Sequence, residues 1–499
     1  MSGIKKLAGQ TLWYGVSAIA ARFLNYLVTP YLTNVLSSQD YGKMSLVYSV
    51  LPFLNVIFTY GLETAFFRFS EKEENKKTIY NTTATSIIIS TVLFGITLLL
   101  FHKQLASFAG IGNYPELIKL SIFIIMIDTL AIIPFAKLRY DGRPRKYAMA
   151  KITGIVAYLF FTWFFLSVCF TAAKNTPHSF WAGFVNTSHN PVYYIVVANL
   201  IQAVVTLAFL YKEIAAIRLR VDTRLLRQII AYSLPLIIVG MGGVINETMD
   251  RIMLKWWVPG SNDFKETQVG IYSACYKLSI LISLFVQAFR MGAEPFFFKQ
   301  AGTENPQRTY ARVMKFFVIV ICIMFLVVSL YIHIWKYFIA AKLWEGLTVV
   351  PILLLANMFL GIYYNLSIWY KLGHKTMAGA WITLAGATIT IIINYFFIPH
   401  FSYMACAWAT FFCYGSMMVL SFTWGQKEYK IPYAWKKLCA YMVIAVLLFF
   451  IHKGVLSFTN STPVSLLAAT LLLLLYVWFI GRVEKKELVK LPVVGRYFK

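Results

Sequence analysis

The sequence predicts an all-α fold, a polytopic integral membrane protein with fourteen transmembrane helices. Three observations carry that expectation. The 499 residues are 59% hydrophobic and only 13% charged, whereas soluble domains carry roughly a quarter charged residues. Apolar runs of about 20 residues, enough to cross a hydrocarbon core of about 30 Å, recur along the chain. The short alternating segments that build a membrane barrel are missing.

Taken in order, the first run, 8–36, follows Lys5 and Lys6. It is too long and too polar for a signal-peptide core and reads as a retained helix. Runs at 41–67, 79–101, 116–137, 147–171 and 192–211 follow, the last two separated by the longest outward connection, about 172–191. A second series covers 226–256, 268–298, 312–334, 347–370, 377–397 and 403–425, and two more runs, 436–452 and 463–481, close the chain. Pro30, Pro52, Pro134, Pro235, Pro295 and Pro351 fall within or near span interiors, where proline removes a backbone donor and kinks a helix. Kinks at Pro30 and Pro235 suit two lobes that rock, though static bends are commoner.

The six cysteines, Cys169, Cys275, Cys322, Cys406, Cys413 and Cys439, lie in or beside apolar runs with no CxxC pair. They read as small buried hydrophobes rather than disulfides or zinc ligands. No metal and no cofactor is expected.

The net charge of +26 invites a nucleic-acid reading, yet a charge-poor, aromatic-rich chain does not build a polyanion groove, and no nucleic-acid partner is expected. Topology explains the charge better. With the N-terminus in the cytoplasm, 33 of the 46 basic residues fall on inward connections. Nine fall outward: Lys43, Lys103, Lys119, Lys174, Lys255, Lys265, Lys336, Lys342 and Lys453. Arg22, Arg251, Lys277 and Arg290 lie within spans. This asymmetry predicts an even number of spans with both termini cytoplasmic.

An internal repeat organises the chain. Asp40-Tyr41-Gly42-Lys43-Met44-Ser45-Leu46-Val47-Tyr48 resembles Gln268-Val269-Gly270-Ile271-Tyr272-Ser273-Ala274-Cys275-Tyr276, at an offset of 228. Gly61-Leu62-Glu63 resembles Gly292-Ala293-Glu294 at an offset of 231, and Gly142, Ala148 and Ile152 find counterparts in Gly373, Ala378 and Ile382. Spans one to six thus pair with seven to twelve, a parallel repeat related by an axis along the membrane normal. The expected lobes are 1–224 and 225–430, with 431–499 as two further helices and a cytoplasmic tail. Two lobes around a central cleft suit alternating access.

The polar first helix, the Gln39-Asp40-Tyr41-Gly42 turn and Gly61-Leu62-Glu63 resemble those of bacterial polysaccharide-export flippases. These belong to the multidrug/oligosaccharidyl-lipid/polysaccharide exporter superfamily. The resemblance implies a bacterial inner-membrane transporter that moves undecaprenyl-pyrophosphate-linked oligosaccharides to the periplasmic leaflet for cell-surface polysaccharide, lipopolysaccharide or O-antigen synthesis. It also implies polysaccharide polymerase and glycosyltransferase partners.

Ionisable residues at membrane depth cost roughly 2.5–3.5 kcal/mol on insertion scales and so need a cavity or a partner. Span one carries Arg22, Asn25 and Thr29 on one face, and span two carries Ser45, Tyr48, Asn55, Thr59 and Glu63. Span eight carries Lys277, then, past apolar Ile280 and Leu284, Gln287, Arg290 and Glu294. Arg22, Lys277 and Arg290 suit a pyrophosphate, since arginine offers a planar fork and lysine a point charge. Asn25, Asn55 and Gln287 suit sugar hydroxyls, and Tyr14, Tyr48 and Tyr276 can stack on sugars. The plainer alternative makes Arg22 and Arg290 struts to Glu63, Glu294 or Asp128, with the amides as glue between helices. In span seven, Asn246, Glu247, Asp250 and Arg251 form a second group. Glu247 and Asp250 suit H⁺ or Na⁺ coupling, or else an ion-pair network with Lys277 or Arg251 at an outer gate. Asp250 and Arg251 diverge by about 100° on a helix and need not pair.

Two other function classes stay in view: a lipid II or cation-coupled drug exporter of the same superfamily, and a membrane polymerase or acyltransferase. A cationic drug calls for carboxylates in the cleft, whereas these stripes hold cations. An enzyme needs a placed acid/base pair, and the 172–191 connection offers His178 and His189 without Asp or Glu. No GxxxxGK[ST] loop for ATP hydrolysis occurs.

Overall fold

The computed structural model describes residue 20 and residues 22–72, 76–302, 304–373, 375–458 and 461–489, and it is all-helical with no strand among them. The helices are α1 (Thr29–Val35), α2 (Ser38–Ser70), α3 (Lys76–Leu100), α4 (Pro115–Tyr140), α5 (Pro144–Asn175), α6 (Pro191–Phe209), α7 (Thr223–Trp257), α8 (Asn262–Gln300), α9 (Pro306–Leu330), α10 (Ala341–Leu372), α11 (Thr376–Phe401), α12 (Tyr403–Glu428), α13 (Trp435–Phe458) and α14 (Thr462–Val483). From α2 to α14, 13 helices are long and apolar enough to cross a membrane. The first expected span, 8–36, lies mostly outside the described residues, as do Lys5, Lys6 and Tyr14.

Local chemistry sets many boundaries. Ser37 caps α2, its hydroxyl accepting from the Asp40 N–H at 3.0 Å. Asn190 caps α6 and Asp222 caps α7, each accepting a backbone N–H. Proline opens α4, α5, α6 and α9, where its missing donor costs nothing. Pro30 likewise starts α1, after a turn at Val28.

Two spans are less uniform than their apolar runs suggest. α2 breaks at Tyr60 and Gly61, both with positive φ (32° and 73°), and restarts at Leu62. Glycine meets no Cβ penalty there, and Glu63 falls in the first turn of the new segment, where the helix dipole favours a carboxylate. α5 winds as a π-helix over Phe164–Cys169.

The chain divides into two compact units. Unit 1 is Met1–Ala274 with Thr383–Ala409; unit 2 is Cys275–Ile382 with Thr410–Lys499. In unit 1 the buried side chains of Leu62, Phe66, Ile79, Tyr80, Ile133 and Ile229 tie α2, α3, α4 and α7 into one core. In unit 2, Tyr363, Trp369, Ile382, Cys413 and Met417 join α10, α11 and α12. Large apolar side chains such as Leu100, Phe396, Phe458 and Leu467 remain more than half exposed, as a lipid-facing surface requires. Cys439 is exposed and the other five cysteines are buried.

The two copies of the repeat meet inside unit 1. Gly42 lies against Gly270: a Cβ on Gly42 would collide with the Glu266 carbonyl, and one on Gly270 with the Ser38 carbonyl. Nearby, the Ser45 hydroxyl donates to Ser273 Oγ at 2.6 Å. Each contact pairs residues 228 apart or maps onto its mirror when the copies are exchanged, so α2 and α8 cross about a local twofold.

That crossing carries a buried ionic network. Lys43 and Lys255 are 6% and 5% exposed, and Glu266 between them is 5% exposed. Lys255 Nζ lies 2.9 Å and Lys43 Nζ 3.8 Å from the Glu266 carboxylate, and Lys43 also reaches Asp40 at 3.1 Å. Asp40 in turn accepts from the Asn190 amide at 2.5 Å. Two of the nine cations expected on outward connections are therefore internal charges with carboxylate partners.

Candidate functional site

Each half of the repeat builds a half-exposed carboxylate–cation pair where its span bends or ends. In unit 1, Arg139 of α4 donates through Nη1 to Glu63 of α2 at 2.5 Å, with the side chains 42% and 43% exposed, and its guanidinium lies 4.9 Å from the Phe67 ring centroid. In unit 2, Lys371 of α10 reaches Glu294 of α8 at 2.6 Å. Arg290, one turn earlier on α8, reaches the same oxygen at 3.3 Å and stacks 4.0 Å from the Tyr364 ring centroid. Glu63 and Glu294 are repeat mates. Their partners Arg139 and Lys371 stand 232 residues apart, one step from the repeat offset of 231.

The cross-helix partners in these pairs are Arg139 and Lys371, while Arg290 pairs along its own helix. Neither Arg139 nor Lys371 belongs to the candidate set drawn from the spans. The signal that finds them is the offset itself, since a cation one repeat from another, each opposite a matched glutamate, is a structural pair.

Arg22 and Asn25 are exposed on the helical stretch before α1, and Asn55 is exposed on α2. Between α4 and α5, the Lys151 ammonium lies 4.4 Å from the Phe135 ring centroid. Lys277, Gln287 and Arg290 are all half-buried on α8. Of the tyrosines proposed for stacking, Tyr48 abuts Tyr158 of α5 and Tyr276 is buried at 7% exposure.

The α7 group differs from its helical-wheel expectation. Asp250 and Arg251 do pair: Arg251 Nη1 lies 3.0 Å from Asp250 Oδ1, and the Arg251 backbone N–H donates to the same oxygen at 2.8 Å. The backbone directions diverge, but the long arginine side chain folds back, donating also to the Glu247 carbonyl at 2.7 Å. Tyr272 donates to the other Asp250 oxygen at 2.5 Å. Asp250 is 3% exposed, and a buried carboxylate so supplied with donors needs no further cation. Glu247 is exposed and forms no ion pair among the described residues. Asn246 donates to the Thr383 carbonyl at 3.1 Å, which is glue between α7 and α11.

The 172–191 connection holds a turn of 3-10 helix, Phe180–Phe184, with Phe180, Trp181 and Phe184 exposed. His189 stacks on Tyr193 at 4.5 Å.

Residues 7–301 match the model of the polysaccharide biosynthesis protein family. The chain belongs to that family. Among solved structures the fold is similar to a lipid II flippase, MurJ, in an inward closed conformation. That match has a TM-score of 0.67 at 14% identity and covers 94% of this chain and 99% of that chain. It is also similar to a multidrug resistance MATE family transporter of the MOP superfamily in its inward-facing conformation, with a TM-score of 0.59 at 13% identity over 84% of this chain and 94% of that one. At such identities the likeness establishes the fold. A comparison with curated proteins finds no match. This member of the polysaccharide biosynthesis family is thus a multi-pass membrane protein with a flippase and exporter fold.

Proposed function

We propose that the chain is a transporter, not an enzyme, and that it flips undecaprenyl-pyrophosphate-linked oligosaccharide units across the bacterial inner membrane by alternating access. It would serve surface polysaccharide or lipopolysaccharide assembly and work beside polymerases and glycosyltransferases. The family match over residues 7–301 carries this reading. The charge of the intramembrane groups supports an anionic substrate. The basic residues within the spans are Arg22, Arg251, Lys277 and Arg290, and at the Glu294 site two cations, Arg290 and Lys371, face one carboxylate. A diphosphate is the ligand such groups accept most readily. In this reading Arg22 and Lys277 contact phosphate directly, and Arg290 does so by exchanging Glu294 for a phosphate oxygen. Glu247 is a better candidate than Asp250 for H⁺ or Na⁺ coupling, because the Asp250 oxygens are already engaged. The termini are cytoplasmic in this reading, which the charge asymmetry supports.

Purified protein in liposomes, given fluorescent lipid-diphosphate oligosaccharide in one arm and lipid II in another, tests the proposal. Transfer of the oligosaccharide carrier, reduced at least tenfold in Arg22→Ala and Arg290→Ala, is the expected result. Transfer of lipid II alone reassigns the substrate. Normal flipping by both variants overturns the cation model. In cells, the two variants are expected to lose surface polysaccharide at normal protein level while lipid-linked intermediates accumulate on the cytoplasmic side.

A further inference from the structure

A further concentration of positive charge, without ion pairs among the described residues, lies away from the spans' polar stripes, in a cavity of unit 1. The cavity holds about 940 Å³, within the size range of small-ligand sites, roughly 300–1,000 Å³. The end of α2, the first turns of α3, the end of α4 and the segment leading into α7 line it, and it is open on one side. The positive-inside rule assigns all four to one face of the membrane, the cytoplasmic one.

Five cations line the cavity: Lys76, Lys77, Lys137, Arg218 and Arg220. None of them makes an ion pair among the described residues, although such pairs are frequent among the other described residues. The described acids on its wall are Asp141 and Asp222, and Asp222 is occupied in capping α7. The α3 N-terminus adds the positive end of a 25-residue helix. The Ser70 hydroxyl, on the wall and 2% exposed, has no hydrogen-bond partner, so a buried polar group awaits one there.

The walls are also built rather than loose. The Arg218 N–H donates to Asn81 Oδ1 at 3.0 Å, the Asp222 N–H to Thr82 Oγ1 at 3.2 Å, and the Tyr80 hydroxyl to the Glu213 carbonyl at 2.7 Å. Lys137 and Lys76 stand over the rings of Tyr80 and Tyr140, 4.2 Å and 5.1 Å from the centroids. The aromatic rings hold these ammonium groups in place, and neither has an ion-pair partner among the described residues.

We propose that this cavity is an anion site for clustered phosphates, a diphosphate or a multiply phosphorylated lipid headgroup, at the membrane surface. Basic pockets between transmembrane helices on the cytoplasmic side suit anionic headgroups, and cations with a serine donor suit phosphate oxygens. The proposal does not depend on the flippase reading.

The test uses the full chain in detergent, with cardiolipin, phosphatidylethanolamine and inorganic pyrophosphate as probes and native mass spectrometry as the readout. The expected result is retention of cardiolipin over phosphatidylethanolamine, weakened roughly 10- to 30-fold in Arg218→Gln/Arg220→Gln. Both arginines are exposed, so this variant folds; Lys137→Gln is the second variant, with a smaller loss. Displacement of cardiolipin by pyrophosphate identifies the phosphates themselves as the recognised group. Failure of pyrophosphate to displace it, with the variant still impaired, assigns the site to a lipid headgroup. Pyrophosphate binding without cardiolipin assigns it to a soluble phosphate. Removal of two exposed cations elsewhere, Lys485→Gln/Lys486→Gln, should change binding by less than twofold. Equal loss in that control, or wild-type binding in both cavity variants, overturns the proposal.

Discussion

The two ends of the repeated helices solve the burial of charge differently. Where α2 and α8 begin, the copies touch each other: Gly42 faces Gly270, Ser45 bonds Ser273, and Glu266 sits buried between Lys43 and Lys255. Farther along, the copies no longer share partners. Glu63 takes Arg139 and Glu294 takes Lys371, each within its own unit and each half-exposed. The shared end is buried and leaves no room for a Cβ, whereas the separate ends are partly exposed and use arginine in one copy and lysine in the other. A contact shared by both copies constrains two residues at once; a contact within one copy constrains one.

The sharpest way to break this contrast is Glu266→Gln. It leaves two lysines buried with reduced compensation and should cost about 3–5 kcal/mol, read as loss of folded protein in thermal unfolding. Gly42→Ala comes next, at about 1–3 kcal/mol of overpacking. Gly270→Ala should cost the same, and the double variant should be clearly non-additive because both press on one contact. If either glycine accepts alanine without a fall in melting temperature, the shared end is looser than described. Third, Glu294→Gln should destabilise by about 1 kcal/mol and Glu63→Gln by less, since Glu294 holds two cations and Glu63 one. Equal losses would remove the asymmetry between the copies.

The smallest effect is expected from pH, at a carboxylate outside the repeat. Glu484, just past α14, is 2% exposed. Burial opposes its ionisation, but hydrogen bonds from Lys315, Lys437 and Tyr441 outweigh that and hold it below the ordinary glutamate value of 4.5. Its contribution is therefore complete above about pH 4.5 and disappears as the pH falls through the lower folded value. Glu484→Gln should flatten the acid limb of the stability profile and leave neutral pH behaviour with a modest, pH-independent loss. An unchanged acid limb would remove Glu484 from that role.

The helices were largely legible in the sequence because crossing a bilayer forces long apolar runs, and run ends fall within a few residues of helix ends. The break at Tyr60–Gly61 was not, since an isolated glycine in an apolar run does not announce its φ. The π segment at Phe164–Cys169 likewise leaves no mark in hydropathy. Within the candidate site, Glu63, Arg290 and Glu294 stood out as charges at membrane depth. Their partners did not, because Arg139 and Lys371 sit near span ends where the positive-inside rule already explains a cation. The pairing of Asp250 with Arg251 escaped a wheel argument that tracks Cβ directions and ignores the reach of a guanidinium. Lys43 and Lys255 look like loop charges in sequence and are interior ones in space.

The glycine crossing also says something about how the two halves are free to change. Exchanging the copies maps Gly42 onto Gly270 and each obstructing carbonyl onto the other, so the empty volume beside one helix is the seat of its counterpart. Such a position cannot be evaluated from one half of the chain. Two residues 228 positions apart form one steric unit here, and a side chain added at either meets the backbone of the other copy.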